Sequence, residues 1–335
     1  MAQAPSDYAS VAPAPDRQRS TLKKVLRWLV TSLALVLLVA YSVISYFIAA
    51  GVTKAERKAL EDRPSDYALA YEDVQFMSRK GDILLKGWYI PGEPDKPVVI
   101  FVHGISGTRA GDHTLDLVKR LRNRYGFGTL LFDLRAHGES GGDKISAGVF
   151  ERKDVEGALD YLKGRGVPAE RVGLLGFSMG AAIAILTAAD EPAFRAVVAD
   201  SPFAVASELV AQETARKTPF PEWMVPIFLP GASFLANLVY GIDLGLLVPL
   251  TYVADLDYPV LIIYGTTDTR IPNSHSQRIY AAAPPGSLVW RVEGVGHTDA
   301  FQEYPDEFVQ RVGDYFHLRL GAGQGAPAQA AGMTP

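Results

Sequence analysis

The sequence predicts an α/β protein: a mostly parallel, doubly wound sheet with a short apolar cap, preceded by one N-terminal transmembrane helix. Three observations predict it. Short apolar runs at residues 98–102, 129–133, 172–177, 196–200, 260–264 and 288–292 have the length of strands buried on both faces, and helical patterns separate several of them. The 25 residues from Trp28 to Val52 carry no charge. The pentapeptide Gly176-Phe-Ser178-Met-Gly180 joins the apolar run Val172–Leu175 to an Ala-rich helical stretch, the context in which a strand turns abruptly into a helix beneath an exposed serine.

Residues 1–24 are expected to form a disordered tail, because their Ala, Pro, Ser and Gln offer little apolar surface to bury. Residues 25–52 are the anchor. As a helix the uncharged stretch spans about 37 Å, more than the hydrocarbon core of about 30 Å, so it can cross a bilayer with some tilt. A cleaved signal peptide has an apolar core of only about 7–15 residues, and Ile48-Ala-Ala50 is a loose cleavage site. Arg17, Arg19, Lys23, Lys24 and Arg27 slightly outnumber Lys54, Arg57, Lys58 and Arg63 on the other side. That excess keeps the N-terminus inside and puts the folded domain on the extracytoplasmic face. Residues 53–70 form a linker, with a juxtamembrane helix over the charged run from Lys54 to Arg63.

The domain proper covers residues 71–320. Val74–Met77 and Ile83–Ile90 read as a leading antiparallel pair, and the six apolar runs follow. Thr114–Tyr125, Phe150–Leu162, Met179–Ala189, Ser274–Ala283 and Tyr304–Leu320 supply the helical crossovers that parallel strands need. Residues 203–257 break this rhythm with a Pro-rich apolar stretch, read as a cap. It would present Trp223, Met224, Phe228 and Phe234 to a pocket or to the membrane surface, or else pack them on the sheet. Residues 321–335 are a second disordered tail.

Composition narrows the chemistry. A net charge of −4 without a basic stripe excludes a nucleic-acid partner. The absence of cysteine removes disulfides, thiolate metal sites and a Cys nucleophile together. The scattered histidines offer no metal-ligand spacing, and no dinucleotide fingerprint follows the first parallel strand, so no metal and no cofactor is expected.

A serine hydroxyl is a weak nucleophile until a base takes its proton and an acid fixes the tautomer of that base. Ser178 is the candidate nucleophile. Gly138-Glu-Ser140-Gly-Gly142 repeats the pattern but leads into a loop, so Ser140 lacks the helix N-terminus that would support an oxyanion. Asp268 follows the run Val260–Tyr264 and His297 follows Leu288–Val292, each at the carboxyl end of its strand, where parallel sheets place their sites. Asp200, which also ends a strand, is the rival acid. The loop His103-Gly-Ile-Ser-Gly107 follows the first parallel strand, so the amides of Ile105 and Met179 are the expected oxyanion donors. His103 and His137 read as structural, and His113, His275 and His317 follow no strand that would put them over the elbow.

Val-His-Gly at 102–104, Phe-Asp-Leu-Arg-Ala-His-Gly-Glu-Ser-Gly-Gly at 132–142, Gly-Phe-Ser-Met-Gly, Ala-Asp-Ser-Pro-Phe at 199–203 and Gly-Thr-Thr-Asp-x-x-Ile-Pro at 265–272 together resemble the bacterial α/β-hydrolase superfamily. The set is most similar to membrane-anchored hydrolases related to the Bem46 and YqkD groups, over roughly residues 71–318. The resemblance implies an α/β-hydrolase fold, the triad Ser178, Asp268 and His297, and Ile105 and Met179 at the oxyanion. It also implies a single-pass protein of the bacterial cell membrane. The expected activity is a serine hydrolase of the carboxylesterase or lipase-like kind, acting on a small-molecule or lipid-derived ester. The alternatives are a thioesterase or deacylase of acylated lipid or protein, and a catalytically silent membrane-tethered scaffold.

Overall fold

The computed structural model describes residues 17–79, 81–111, 113–217 and 219–321; residues 1–16 and 322–335 of the two expected tails lie outside the described residues. Helix α1 runs Arg17–Val52. It therefore starts within the stretch expected as tail: the sequence has no proline between Pro15 and Pro64 and no glycine before Gly51 to end a helix earlier. Thr21–Val52 is long and apolar enough to cross a bilayer.

Eight strands form one sheet in the order β1-β2-β4-β3-β5-β6-β7-β8, where β1 is Glu72–Met77, β2 Leu84–Ile90, β3 Val98–Val102, β4 Gly128–Phe132, β5 Val172–Phe177, β6 Val197–Asp200, β7 Leu261–Gly265 and β8 Leu288–Val292. β2 pairs antiparallel with β1 and β4, and every other pairing is parallel. The central strands are apolar because both faces are covered. On one face lie α3 (Glu151–Gly164), α4 (Met179–Asp190) and α8 (Ser274–Ala282), bringing Val155, Leu159, Ile183 and Ile279 into the core. On the other lie α2 (Thr114–Tyr125) and α10 (Pro305–Leu320), which contribute Leu117, Leu121, Phe308 and Phe316. The short α9 (Ala300–Glu303) leads into α10.

The segment expected as a juxtamembrane helix is not one. Residues 55–63 are irregular, and the segment is held to the domain from its start and by the side chain of Arg57. Thr53 O accepts from Ile145 N at 3.0 Å. Arg57 reaches across the loop 137–142, donating to the carbonyls of His137, Gly138, Ser140 and Gly142 at 2.6–3.1 Å. One guanidinium thus fastens the linker to the loop that follows β4.

The cap consists of α5 (Val210–Lys217), α6 (Val225–Tyr240) and α7 (Pro249–Ala254) with short 3-10 turns. Its longest helix packs on α1. Tyr41 lies against Phe228 with ring centroids 5.3 Å apart, and Tyr41 Oη accepts from Gly231 N at 3.2 Å. Further along, Ile48 and Ala49 are buried with Ala232, Ala236 and Ile242. The contacts advance in the same sense on both helices, so α1 and α6 run side by side in one direction. Close approach requires Gly231: a Cβ there would stand 2.5 Å from Ser45 Oγ and 2.6 Å from Tyr41 Cε1. Gly231→Leu is expected to force the helices apart and to cost about 1–3 kcal/mol. A fall in the unfolding temperature of the full chain in detergent, with new proteolysis between α5 and α6, checks this; an unchanged temperature would mean the helices do not touch.

Candidate active site

The chain turns from β5 into α4 at Ser178, whose φ of 55° and ψ of −119° lie where a side chain is strained. Two glycines permit the turn. A Cβ on Gly176 would meet Gly180 O at 2.3 Å, and a Cβ on Gly180 would meet Val102 O at 2.0 Å, so strand, helix and the end of β3 converge at distances that exclude side chains. Ser178 N donates to Asp200 O at 2.8 Å, which ties the turn to β6. The hydroxyl is left at the carboxyl edge of the sheet, at the N-terminus of an apolar helix.

Two later strand ends meet it there. Ser178 Oγ and His297 Nε2 are 2.8 Å apart, and His297 Nδ1 lies 2.6 Å from Asp268 Oδ2. The other oxygen of Asp268 accepts from the amides of Arg270 and Ile271 at 2.8 and 2.9 Å, so the loop after β7 holds the carboxylate in a fixed orientation. With Nδ1–H donated to Asp268, Nε2 is free to accept the serine proton. This arrangement can pass the serine proton to the imidazole as the hydroxyl attacks.

Asp200 is not part of that set. It is fully buried, its Oδ1 accepts from Ser201 Oγ at 3.0 Å, and its Oδ2 has no hydrogen-bond partner. Burial pushes its pKa up to about 7, with the nearby charges of Asp268 and Asp299 adding to the rise. Ser140 is equally separate: it is buried, donates to Asp133 O at 2.6 Å and accepts from Lys86 N at 2.9 Å, so its hydroxyl is taken up in tying the loop after β4 to β2.

The loop after β3 closes over the elbow. Gly104 lies so near that a Cβ would stand 3.3 Å from Ser178 Cβ. Ile105 and Met179 line one cavity with Ser178, and Met179, as the first residue of α4, has an amide with no intrahelical acceptor. Two histidines pin this loop. His103 Nδ1 donates to Gly104 O at 2.8 Å while Nε2 accepts from Leu134 N at 3.0 Å, and His137 Nε2 accepts from Ser106 N at 3.3 Å. Burial, with His137 beside it, lowers the pKa of His103 to about 4, so the ring stays neutral in that role. His275 Nδ1 accepts from Ala204 N at 3.1 Å, His113 precedes α2 and His317 is on α10.

The cavity holds about 780 Å³ of empty space counting its open mouth, and its lining is almost wholly apolar. The cap aromatics expected at a pocket do not line it: Phe228 packs on α1, while Trp223 and Phe234 are exposed. Leu209, Val210, Ile242, Leu244 and Leu247 supply the cap wall, with Glu213 and Arg270 as its charged members 3.5 Å apart. Val52 and Thr53, at the end of α1, form part of the same wall. No sequence signal distinguished these two from the rest of the apolar span.

Comparison with known proteins agrees with this architecture. The Alpha/beta hydrolase family matches residues 99–311. The chain is 26% identical to the uncharacterized protein YqkD of Bacillus subtilis, over 69% of this chain and 74% of that one. It is 32% identical to the uncharacterized protein YfhR of Salmonella typhi, over 69% and 75%. Among solved structures, the Pyrococcus furiosus esterase Pf2001 superposes with a TM-score of 0.65 at 27% identity, covering 80% of this chain and 100% of that one. With the family match spanning most of the chain and the sheet order on the page, the protein belongs to the alpha/beta hydrolase family.

Proposed function

We propose that the protein is a membrane-anchored serine hydrolase that cleaves carboxylic esters through an acyl-enzyme on Ser178. The observation that carries this is the unbroken hydrogen-bonded run from Ser178 Oγ through His297 to Asp268. The likeness to a solved esterase supports the choice of ester. Ser178 Oγ attacks the ester carbonyl carbon as its proton passes to His297 Nε2, and Asp268 stabilises the resulting imidazolium. The amides of Ile105 and Met179 receive the oxyanion. Collapse expels the alcohol, which takes the proton back from His297. Water, deprotonated by the same nitrogen, then attacks the acyl carbonyl. The carboxylic acid leaves and Ser178 recovers its proton.

The contacts of α1 support its retention: cleavage after its apolar span would remove Val52 from the cavity wall or leave it a free chain end. The slight excess of basic residues before the uncharged span supports an N-terminus in the cytoplasm and a catalytic domain outside. A reporter fused after Leu320 should be active only in its extracytoplasmic form; activity only in the cytoplasm would reverse the topology.

Ser178→Ala is expected to lower kcat by about a millionfold, and Ser140→Ala to leave a folded active enzyme, read by ester turnover and fluorophosphonate labelling of Ser178. A folded, inactive Ser140→Ala would overturn the assignment.

Asp268→Asn should lose about ten-thousandfold in kcat by presenting the wrong tautomer, while Asp200→Asn keeps turnover within about tenfold. Asp200 also sets a pH dependence. In the fold it holds its proton up to about pH 7, whereas an unfolded Asp releases it near about 3.9. Between those values the native state binds the extra proton, so stability falls as pH rises through the window. Asp200→Asn removes that slope. The drop in unfolding temperature from about pH 5 to about pH 7.5 should be smaller than in the wild type, and an equal drop would show that Asp200 ionises freely in the fold.

A further inference from the structure

The anchor and the cap measure the position of the site against the bilayer. Counting from Trp28, the first residue after the last charge of the N-terminal flank, a hydrocarbon core of about 30 Å takes up about 20 helical residues and ends near Phe47. The contacts of α6 on α1 begin at Tyr41, on the bilayer side of that boundary. The first turns of α6 therefore flank a part of α1 that lies within the edge of the core. The chain from Trp223 to Ile242 carries no charge, and Trp223, Ile227, Phe234 and Leu238 are 72%, 57%, 65% and 70% exposed. At 100° per residue these four positions fall on one exposed stripe, beside the face that carries Gly231 against α1. Because α6 runs with α1, its N-terminal end is the deeper one, and Glu222 there, with Arg216 on α5, limits how far the cap can enter.

The cavity continues from this surface. Val52 ends α1, Thr53 follows it and Ile242 follows α6, and all three line the space that contains Ser178 and Met179. Val52 is five residues past Phe47, about 7.5 Å along the helix, so the cavity wall begins within one helical turn and a half of the hydrocarbon boundary. An apolar cavity at that depth, walled by the membrane helix itself, is reached from the leaflet at lower cost than from water for a chain that is already dissolved in lipid.

We infer that α6 is inserted in the edge of the bilayer and that the cavity takes the acyl chain of a membrane-lipid ester, which enters from the leaflet past the ends of α1 and α6. This rests on the serine-esterase reading above and names its substrate class. The ester carbonyl then meets Ser178 while the alcohol part of the lipid stays at the headgroup level, and the acid released after deacylation returns to the leaflet.

Two measurements on the full chain in phosphatidylcholine vesicles test it. In the first, Trp28→Phe and Trp28→Phe/Trp223→Phe are compared for quenching by lipids brominated at shallow or deep acyl positions; Trp88 and Trp290 are buried in the domain and cancel. The difference signal from Trp223 should be quenched by the brominated lipids. An unquenched Trp223 overturns the insertion of α6, whatever the activity. In the second, dioleoylglycerol and dioleoylphosphatidylcholine in the vesicles are compared with p-nitrophenyl acetate in water, using wild type and Ile227→Asp/Phe234→Asp/Leu238→Asp. Wild type should cleave a vesicle lipid, and the triple variant should lose about tenfold or more on it while keeping the soluble ester within about twofold. Wild type that cleaves only the soluble ester, or a variant that keeps both activities, overturns the lipid substrate and leaves the esterase reading standing. A variant inactive on both is replaced by Trp223→Ala/Ile227→Asn under the same criterion. Cleavage of neither ester, with Ser178 unlabelled by fluorophosphonate, sinks the esterase reading itself, and the lipid substrate with it.

Discussion

The turn at Ser178 is the constraint on which the rest of the site depends. Its positive φ is tolerated because β5, α4 and the end of β3 are brought together at distances that only Gly176 and Gly180 permit. The amide of Ser178 is bonded to β6 in the middle of the sheet, so the strained residue has no freedom to relax without loss of a ladder position. The same geometry aims the start of α4 at the space above the serine and places the loop 103–107 against it. The partners then need only to end neighbouring strands: β6, β7 and β8 are adjacent in the sheet, and the loops after β7 and β8 carry Asp268 and His297.

Much of this was legible because it is local. Buried parallel strands are continuous apolar runs, and each of the six expected lies within a residue or so of an observed strand. Ser178 stood apart from Ser140 on context alone, since one pattern precedes a helix and the other a loop. What was illegible depends on contacts between segments far apart in sequence. The run Lys54–Arg63 reads as helical by composition, yet Arg57 satisfies four carbonyls of the loop 137–142, an outcome no local pattern encodes. The cap aromatics were visible as apolar, but their destination was set by α1: Phe228 is turned to Tyr41, and that rotation leaves Trp223 and Phe234 on the outside.

The apolar helix at the N-terminus is therefore built into the fold and not merely appended to it. Its last turns share a buried cluster with α6, and its final residues belong to the cavity wall. An apolar cluster of small residues, Ala49 with Ala232 and Ala236, lets the two helices come close, and the backbone hydrogen bond to Tyr41 fixes their relative depth. Attachment at both α6 and Arg57 leaves no free hinge between α1 and the sheet, so the fold fixes the orientation of one against the other.

The two carboxyl groups that end β6 and follow β7 show how one small region holds an acid in reserve of the other. Asp268 faces donors on both oxygens: His297 on one, two amides on the other. Asp200 has Ser201 on one oxygen and nothing on the second, in a fully buried position. An unpartnered oxygen in a low-dielectric site disfavours the anion, and the carboxyl of Asp268 nearby disfavours it further. Burial thus favours the protonated form of Asp200 while Asp268 is held by its donors, and the backbone carbonyl of Asp200 still supports the elbow. The environment, rather than the residue type or its place at a strand end, separates the partner of the base from the residue that only supports the turn.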